Sequence, residues 1–220
     1  MFEAKTKTAN DVAESIKSQM GDEAQVVITD ADIVRWINDG QVEIVTNNQS
    51  LNLVKAVTSI TPGKAEYPLM QDEAFSGLLL VNSIHYKNRR LRSATFQEAE
   101  EFMLTDTENA SGTPSLWYSV AGVLHLYPIP EDSVDNGLSI FFTKSPRRVR
   151  SLIDSLDIPD SYFNALVEYA MSKAYEMEEN TQMSQMKTQQ FEKSLNIQQH
   201  RTVPQTAEFL TIRPDTEDGW

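Results

Sequence analysis

The chain has helical periodicity at both ends and strand periodicity between them. A capped helix is predicted from Thr29, whose side chain can accept a hydrogen bond from the backbone N–H of Asp32. Its apolar residues fall on one helical face: Ile33, Trp36, Ile37 and Ile44. A second helical stretch opens at Leu156 and keeps an apolar face as far as Met177. The simplest closed arrangement joins the two stretches in one helical domain that a sheet interrupts.

The predicted fold class is α+β. We expect a helical bundle formed from the N- and C-terminal segments, with an inserted small antiparallel β-sheet or barrel domain. Residues 1–50 form the N-terminal helical half, 51–150 the β-rich insertion with one short helix, and 151–200 the C-terminal helical half. Residues 201–220 have two prolines and no period, which indicates an extended C-terminal tail.

The insertion carries local signals for its turns and its short helix. From Leu53 the apolar period changes to two, as in a half-buried strand. Lys87–Arg89 predicts a turn, after which residues 90–94 pair back on the preceding strand. A capping box at Thr95–Glu98 predicts the start of the short helix.

A β-hairpin is predicted near the middle of the insertion. Its strands are Leu116–Val120 and Val123–Tyr127, which flank the turn residues Ala121 and Gly122. Adjacent residues of a strand point to opposite faces of the sheet. We therefore expect either Trp117 or Tyr118 to face outward, where an aromatic side chain can act as an interface anchor.

The composition excludes several kinds of reactive site. The chain has 220 residues and no cysteine, so disulfides, thiolate metal sites and cysteine nucleophiles are ruled out. His85, His125 and His200 are far apart, and no two of them have the spacing of metal ligands on a helix. No glycine-rich phosphate loop and no serine nucleophile motif occurs. We predict a protein that is not an enzyme and that uses no cofactor and no metal.

Apolar runs are short throughout the sequence. The first residues lack the apolar run that a signal peptide requires. The longest near-continuous apolar stretch, around Leu79–Val81, is far too short to span a bilayer. We expect a soluble, non-secreted protein with no membrane partner.

Basic residues are few but clustered. The net charge of −13 disfavours tight general DNA binding, because proteins that grip duplex DNA present many uncompensated cations. Eight of the 19 basic residues lie in two windows, 87–92 and 144–150.

Each basic window allows two interpretations: its side chains are solvated, or they contact a neighbouring subunit. Arg147, Arg148 and Arg150 lie where the sheet meets the bundle, and they are either solvated or placed against acidic surface on a neighbouring copy. The cations of the window 87–92 allow the same two interpretations and a third, which is contact with DNA phosphates. These cations are Lys87, Arg89, Arg90 and Arg92.

Trp36 and Gly40 share the apolar stripe of the first helix. Packing between the two helical halves is one reading of Trp36, and a subunit interface is the other. Gly40 lacks a side chain on that stripe, which allows another helix to approach closely.

The C-terminal tail is too apolar for a purely solvated end. Its large apolar residues are Phe209, Leu210, Ile212 and Trp220. Such a segment can become ordered on a partner by strand addition or by docking in a groove. We therefore predict a docking tail.

Three segments together resemble the head–tail adaptor (connector) proteins of tailed bacteriophages. Asp32–Ile44 is similar to the opening helix of these adaptors, in which an aromatic or apolar residue, an Asn, a Gln and an acidic residue follow one another. Leu124–Pro130 resembles their sheet segment that ends in a Pro-x-Pro turn, and Leu156–Ala170 resembles the helix that returns to the bundle.

The resemblance implies a structural role in the virion. Family members form a ring, usually of twelve copies, beneath the portal protein. The helical domain faces the portal and neighbouring copies, the C-terminal segment reaches into the portal, and the sheet domain faces the tail or nozzle protein. Double-stranded DNA passes transiently through the central channel. The protein would be made in the host cytoplasm and located at the head–tail junction.

Two alternative functions remain open at this point. One is a tail-tube or nozzle component of the same virion. The other is a DNA-packaging or regulatory protein in which residues 10–44 form a helix pair resembling helix-turn-helix. Four acidic side chains would then face phosphates: Asp30, Asp32, Asp39 and Glu43.

Overall fold

The computed structural model describes residues 7–21, 28–105 and 111–202. Within these ranges the α-helices are α1 (Ala9–Met20), α2 (Asp30–Asn47), α3 (Phe96–Thr105), α4 (Phe163–Met177) and α5 (Thr181–Thr202). The longer strands are β1 (Leu53–Ile60), β3 (Leu78–Tyr86), β7 (Leu116–Val120), β8 (Val123–Tyr127) and β10 (Val134–Lys144). The short strands are β2 (Glu66–Pro68), β4 (Arg89–Arg90), β5 (Arg92–Ser93), β6 (Ser111–Gly112) and β9 (Ile129–Pro130). The predicted α+β class is confirmed.

The predicted N-cap of α2 and the predicted capping box of α3 are confirmed, and the N-cap of α2 is also a full capping box. At α2 the Thr29 hydroxyl accepts from the Asp32 N–H at 3.2 Å, while the Asp32 carboxylate accepts from the Thr29 backbone N–H at 3.3 Å. The hydrogen bond from the Thr29 hydroxyl lowers the pKa of Asp32. Thr95 and Glu98 make the same reciprocal bonds at α3, and the Thr95 N–H lowers the pKa of Glu98. Both helices therefore begin where local sequence dictates.

Helices from both ends of the chain share one apolar core. Helix α4 contacts α1, α2 and α5. We call this cluster the helical core; its members include Ile16, Ile33, Ile37, Ile44, Leu166, Ala170, Met171 and Phe191. Residues that are far apart in sequence thus bury one another, which no single amphipathic helix can do alone.

The insertion folds as two four-stranded sheets that share a second apolar cluster. The first sheet has the order β1-β10-β3-β4, and the second has the order β2-β8-β7-β5. We call the shared cluster the sandwich core; its members include Ile60, Tyr67, Ile84, Trp117, Leu124, Leu126, Leu138, Ile140 and Phe142. Because both sheets contribute to it, their inner faces point toward each other and their outer faces point apart.

The chain crosses between the two sheets at Leu91. Strand β4 pairs with β3, as the sequence predicts for the residues after the turn, but β5 pairs in parallel with β7. Leu91 is buried between them and donates its N–H to the Ile84 carbonyl at 2.8 Å. The prediction that residues 90–94 pair back on one strand is therefore wrong from Arg92 onward, where the chain pairs with the second sheet instead.

Trp117 and Tyr118 are both buried, which corrects the expectation that one of them faces solvent. The predicted hairpin is present, and its turn has positive φ at Ala121 and Gly122. Trp117 points into the sandwich core, and Tyr118 points to the outer face of the second sheet. Helix α3 covers that outer face through Ala99. The alternation is right, but the sequence does not show that a helix packs on the other side.

None of the helices within residues 7–21, 28–105 and 111–202 combines the length and the apolar character that a membrane crossing requires.

Candidate interaction surfaces

The segment that leaves the insertion is attached to α2. We call residues 145–150 the junction segment. Val149 is buried there, and its backbone makes two hydrogen bonds with the Asn38 side chain. The Asn38 Nδ2 donates to the Val149 carbonyl at 2.9 Å, and its Oδ1 accepts from the Val149 N–H at 2.8 Å. The amide thus pairs with this backbone much as a neighbouring strand would.

A second group of side chains fixes Arg147. The Asp157 carboxylate accepts from the Arg147 backbone N–H at 2.8 Å and from its Nε at 3.1 Å. The Asp157 N–H in turn donates to Oε1 of Gln41 at 2.7 Å, and Gln41 is fully buried on α2. The Arg147 side chain is nevertheless 79% exposed. Its ion pair is therefore screened and contributes about 0–1 kcal/mol.

Arg148 and Arg150 extend from the same segment into solvent. The Arg150 backbone N–H donates to the Asp154 carboxylate at 2.7 Å, and this bond is the main cause of a lowered pKa at Asp154. Among the described residues, no ion pair holds either guanidinium group. The structure therefore presents two exposed cations, neither of them in an ion pair among the described residues, on a backbone that hydrogen bonds keep in place.

Trp36 and Gly40 lie inside the chain's own helical core. Trp36 is 4% exposed. A Cβ placed on Gly40 would lie 2.6 Å from Cδ1 of Leu166 and 2.8 Å from Cδ1 of Tyr169. Packing of α2 on α4 accounts for both residues within one chain, and their role at a subunit contact stays a prediction.

The cations of the loop between β3 and β5 have different partners. Lys87 forms an ion pair with Asp132 at 2.5 Å, and this bond raises the pKa of Lys87 and lowers that of Asp132. Arg92 lies 3.9 Å from Glu98 and 5.7 Å from the centre of the Phe102 ring. Arg89 and Arg90 are exposed and have no ion pair with another described residue.

The outer face of the first sheet is open. We call it the open sheet face; its members are Leu53, Lys55, Val57, Phe141, His85 and Arg90. Leu53 is 48% exposed and Val57 is 44% exposed. The Lys55 Nζ lies 5.7 Å from the centre of the Phe141 ring, and the rings of Phe141 and His85 are 4.9 Å apart.

Sequence reasoning missed the open sheet face although the strand pattern contains its signal. The period of two from Leu53 predicts a half-buried strand, and the outer side of such a strand is expected to be polar. Leu53 and Val57 are apolar at positions where a solvated face favours polar side chains. Two apolar residues on the outward side of one strand indicate a surface that a partner can cover.

Helix α3 presents apolar and acidic side chains together. We call its exposed surface the α3 face; its members are Phe96, Glu98, Glu100, Glu101, Phe102 and Leu104. Leu104 is 79% exposed. Only Ala99 of this helix is fully buried, because the helix packs on Tyr118 and its neighbours along one narrow stripe.

The predicted docking residues of the tail lie outside the described residues: Phe209, Leu210, Ile212 and Trp220.

The histidines whose side chains the structure describes pack against aromatic rings. His125 stacks on Tyr118 with ring centres 4.8 Å apart and lies 3.9 Å from Glu66. His85 lies on the other sheet beside Phe141. Within the described ranges, no group of three or more acidic or histidine residues is arranged to hold a metal ion.

A comparison with known protein families identifies a match over most of the chain. The model of the family described as SU10 adaptor protein matches residues 7–208, which include both helical ends and the whole insertion. No curated protein matches the chain.

Proposed function

The chain belongs to the SU10 adaptor protein family, a family of phage head–tail adaptors, and from this premise we propose that it forms a ring beneath the portal. In this proposal the ring is a dodecamer that continues the DNA channel from the head to the tail. The portal and a tail or nozzle protein are its partners, and genome ejection takes place through its centre. The family match across both helical ends and the insertion is the observation that carries the proposal.

A structural role is consistent with the distribution of polar groups. The helical core and the sandwich core bury apolar residues inside the protein. The cations of the junction segment and most charged and apolar residues of the open sheet face and the α3 face are exposed on its surface. An adaptor acts through such surfaces and needs no reacting group. We therefore propose a non-enzymatic function, as the family indicates.

The acidic balance suits a channel that conducts DNA without binding it. The net charge is −13. Carboxylates along the channel would repel phosphates, and screening limits this effect to about 10 Å at physiological salt. We propose that acidic residues face the channel and that Arg147, Arg148 and Arg150 face a neighbouring copy, where they offset repulsion between acidic subunits.

The helix-turn-helix alternative has little support from the position of α2. One side of this helix is buried in the helical core. Its exposed residues include Asp30, Asp39 and Glu43. A recognition helix must approach phosphates, and these carboxylates would oppose that approach. No observation favours the tail-tube or nozzle alternative.

The predicted tail fits the same proposal. We propose that residues 201–220 dock on the portal through Phe209, Leu210, Ile212 and Trp220.

Co-purification with the portal protein tests the proposed function. The mass of the complex should equal one portal ring plus a closed ring of this chain, and particle images should place it at the vertex where the genome leaves. Arg148→Glu should lower the amount bound, because it sets a negative charge against an acidic neighbour. Glu192→Lys, which reverses the charge of an exposed residue on α5, is the matched control. Copies found alone or away from that vertex would contradict the proposal.

A further inference from the structure

Two surfaces of the insertion have opposite charge and similar apolar content. The open sheet face combines Leu53, Val57 and Phe141 with the cations Lys55 and Arg90. The α3 face combines Phe102 and Leu104 with three carboxylates. Exposed apolar residues mixed with charge of one sign are typical of a surface that a complementary partner covers.

The open sheet face extends across four strands. The register places Lys55 of β1 opposite Phe141 of β10, and it places His85 of β3 opposite Arg90 of β4. Side chains directly opposite one another in a sheet lie on the same face. The two cations therefore lie on either side of an aromatic and apolar centre, and Arg90 has no ion pair among the described residues.

The α3 face is directed outward by the helical period. Ala99 is buried and Met103 is half-buried, so this stripe faces the second sheet. Glu101 and Leu104 lie on the side of the helix that points away from the sheet, and Glu100 lies on its flank; all three are exposed. Arg92 lies at the border of this surface, 3.9 Å from Glu98 and 5.7 Å from the centre of the Phe102 ring. The other two carboxylates have no ion pair within the described residues.

The two surfaces point in opposite directions. The inner faces of both sheets contribute to the sandwich core, so the outer faces lie on opposite sides of the insertion. One outer face is the open sheet face, and α3 covers the other. Two different complementary surfaces on opposite sides cannot satisfy each other within one chain. Surfaces arranged in this way can pair head to tail between copies, and such heterologous contacts close into a ring when the rotation allows.

We propose that the open sheet face of one copy binds the α3 face of the next copy. Lys55 and Arg90 then lie opposite Glu100 and Glu101, while Leu53, Val57 and Phe141 pack against Leu104. This inference rests on the proposed ring, and it adds a second contact to the one proposed for the junction segment. The apolar centre contributes burial, and the charges fix which face meets which.

Engineered cysteines test this contact directly, because the chain has none of its own. Lys55→Cys and Glu101→Cys are made separately and together, in the full chain assembled on the portal, and treated with a short bis-maleimide. The double variant should give a ladder of covalent oligomers, and a mixture of the single variants should give a covalent dimer. Lys55→Cys combined with Glu192→Cys on α5 is the control and should give neither product.

The second measurement is the assembly of variants in which the charges at this contact are reversed or exchanged. Lys55→Glu alone should reduce assembly about tenfold, because it places two acidic residues together at every contact. Adding Glu101→Lys to the same chain exchanges the charges and should restore most of the loss. Both residues are exposed, so the denaturation midpoints of the variants should match that of the parent.

The outcomes separate this contact from the proposed function. A parent that forms no ring on the portal contradicts the function and the contact together. A ring that forms but gives no Lys55→Cys to Glu101→Cys product, or a charge exchange that restores nothing, overturns the contact alone. Binding of a labelled single-stranded oligonucleotide that Lys55→Glu abolishes would assign the open sheet face to nucleic acid and would also overturn it.

Discussion

The helical core and the insertion differ in how completely they cover their own apolar surface. Among the described residues, eight of the twelve large apolar side chains that stay exposed belong to the insertion, and four belong to the helical parts. The helical core receives residues from both ends of the chain and is closed by them. The insertion has an interior of its own, but both of its outer sides keep apolar residues in water. The difference indicates that the helical parts supply much of the stability and that the insertion supplies surfaces for partners.

The largest expected effect tests whether the two cores are independent. Leu166→Ala removes a fully buried side chain from the helical core and should cost about 2–5 kcal/mol in the free energy of unfolding. Hydrogen exchange should show that protection falls first in α4 and persists at Ile140 in the sandwich core. Leu138→Ala is the matched variant in the other core and should give the reverse order. If protection falls in both cores at the same time, the two cores form a single cooperative unit and do not differ in the way described above.

The next effect concerns the attachment between the two parts. Asn38→Ala removes both side-chain bonds to Val149 and leaves its N–H and carbonyl without partners, which should cost about 1–3 kcal/mol in the free energy of unfolding. Denaturant titration measures this loss. Asn10→Ala is the control, because the Asn10 Nδ2 donates to the exposed Glu14 one turn away and to no other residue in the part of the chain that the structure describes. Equal losses for the two variants would mean that the junction segment is not held by Asn38.

The two capping boxes give a smaller and more selective comparison. Thr29→Ala should cost about 1 kcal/mol in global stability, because α2 belongs to the helical core. Thr95→Ala should fray α3 without shifting the global midpoint, because α3 buries only one residue fully. Circular dichroism with denaturant gives the first result, and hydrogen exchange at α3 gives the second. A global shift from Thr95→Ala would show that α3 is part of the insertion's folding unit.

The smallest effect is a dependence on pH. The folded-state pKa of Asp32 lies below its usual value because the Thr29 hydroxyl donates to its carboxylate. The resulting stability is present above the unfolded pKa of about 3.9 and is lost as the pH falls through the folded pKa. The difference in midpoint between the parent and Asp32→Asn should therefore shrink from pH 6 toward pH 3. A difference that stays constant over this range would exclude the carboxylate charge as its cause.

The sequence predicts features whose cause is local. The capping residues Thr29 and Thr95, the turn at Ala121 and Gly122 and the apolar stripe of α2 all depend on neighbours within a few positions. The α+β class follows from the change of period at Leu53. These are the signals that period and turn chemistry carry.

Features that depend on long-range packing were not predictable from local patterns. The bonds from Asn38 to Val149 join residues 111 positions apart. The change of sheet at Leu91 and the burial of Tyr118 depend on where other elements pack. The open sheet face appears only when four strands from different parts of the sequence are placed side by side.

The entry to the insertion and its exit are neighbours in space. Leu53 pairs with Thr143, and the Lys144 N–H donates to the Asn52 carbonyl at 2.9 Å. A segment whose two ends meet can be lengthened, shortened or exchanged without separating the helices that flank it. Evolution can therefore vary this part of the molecule as a module, while the helices described on either side of it keep the same architecture.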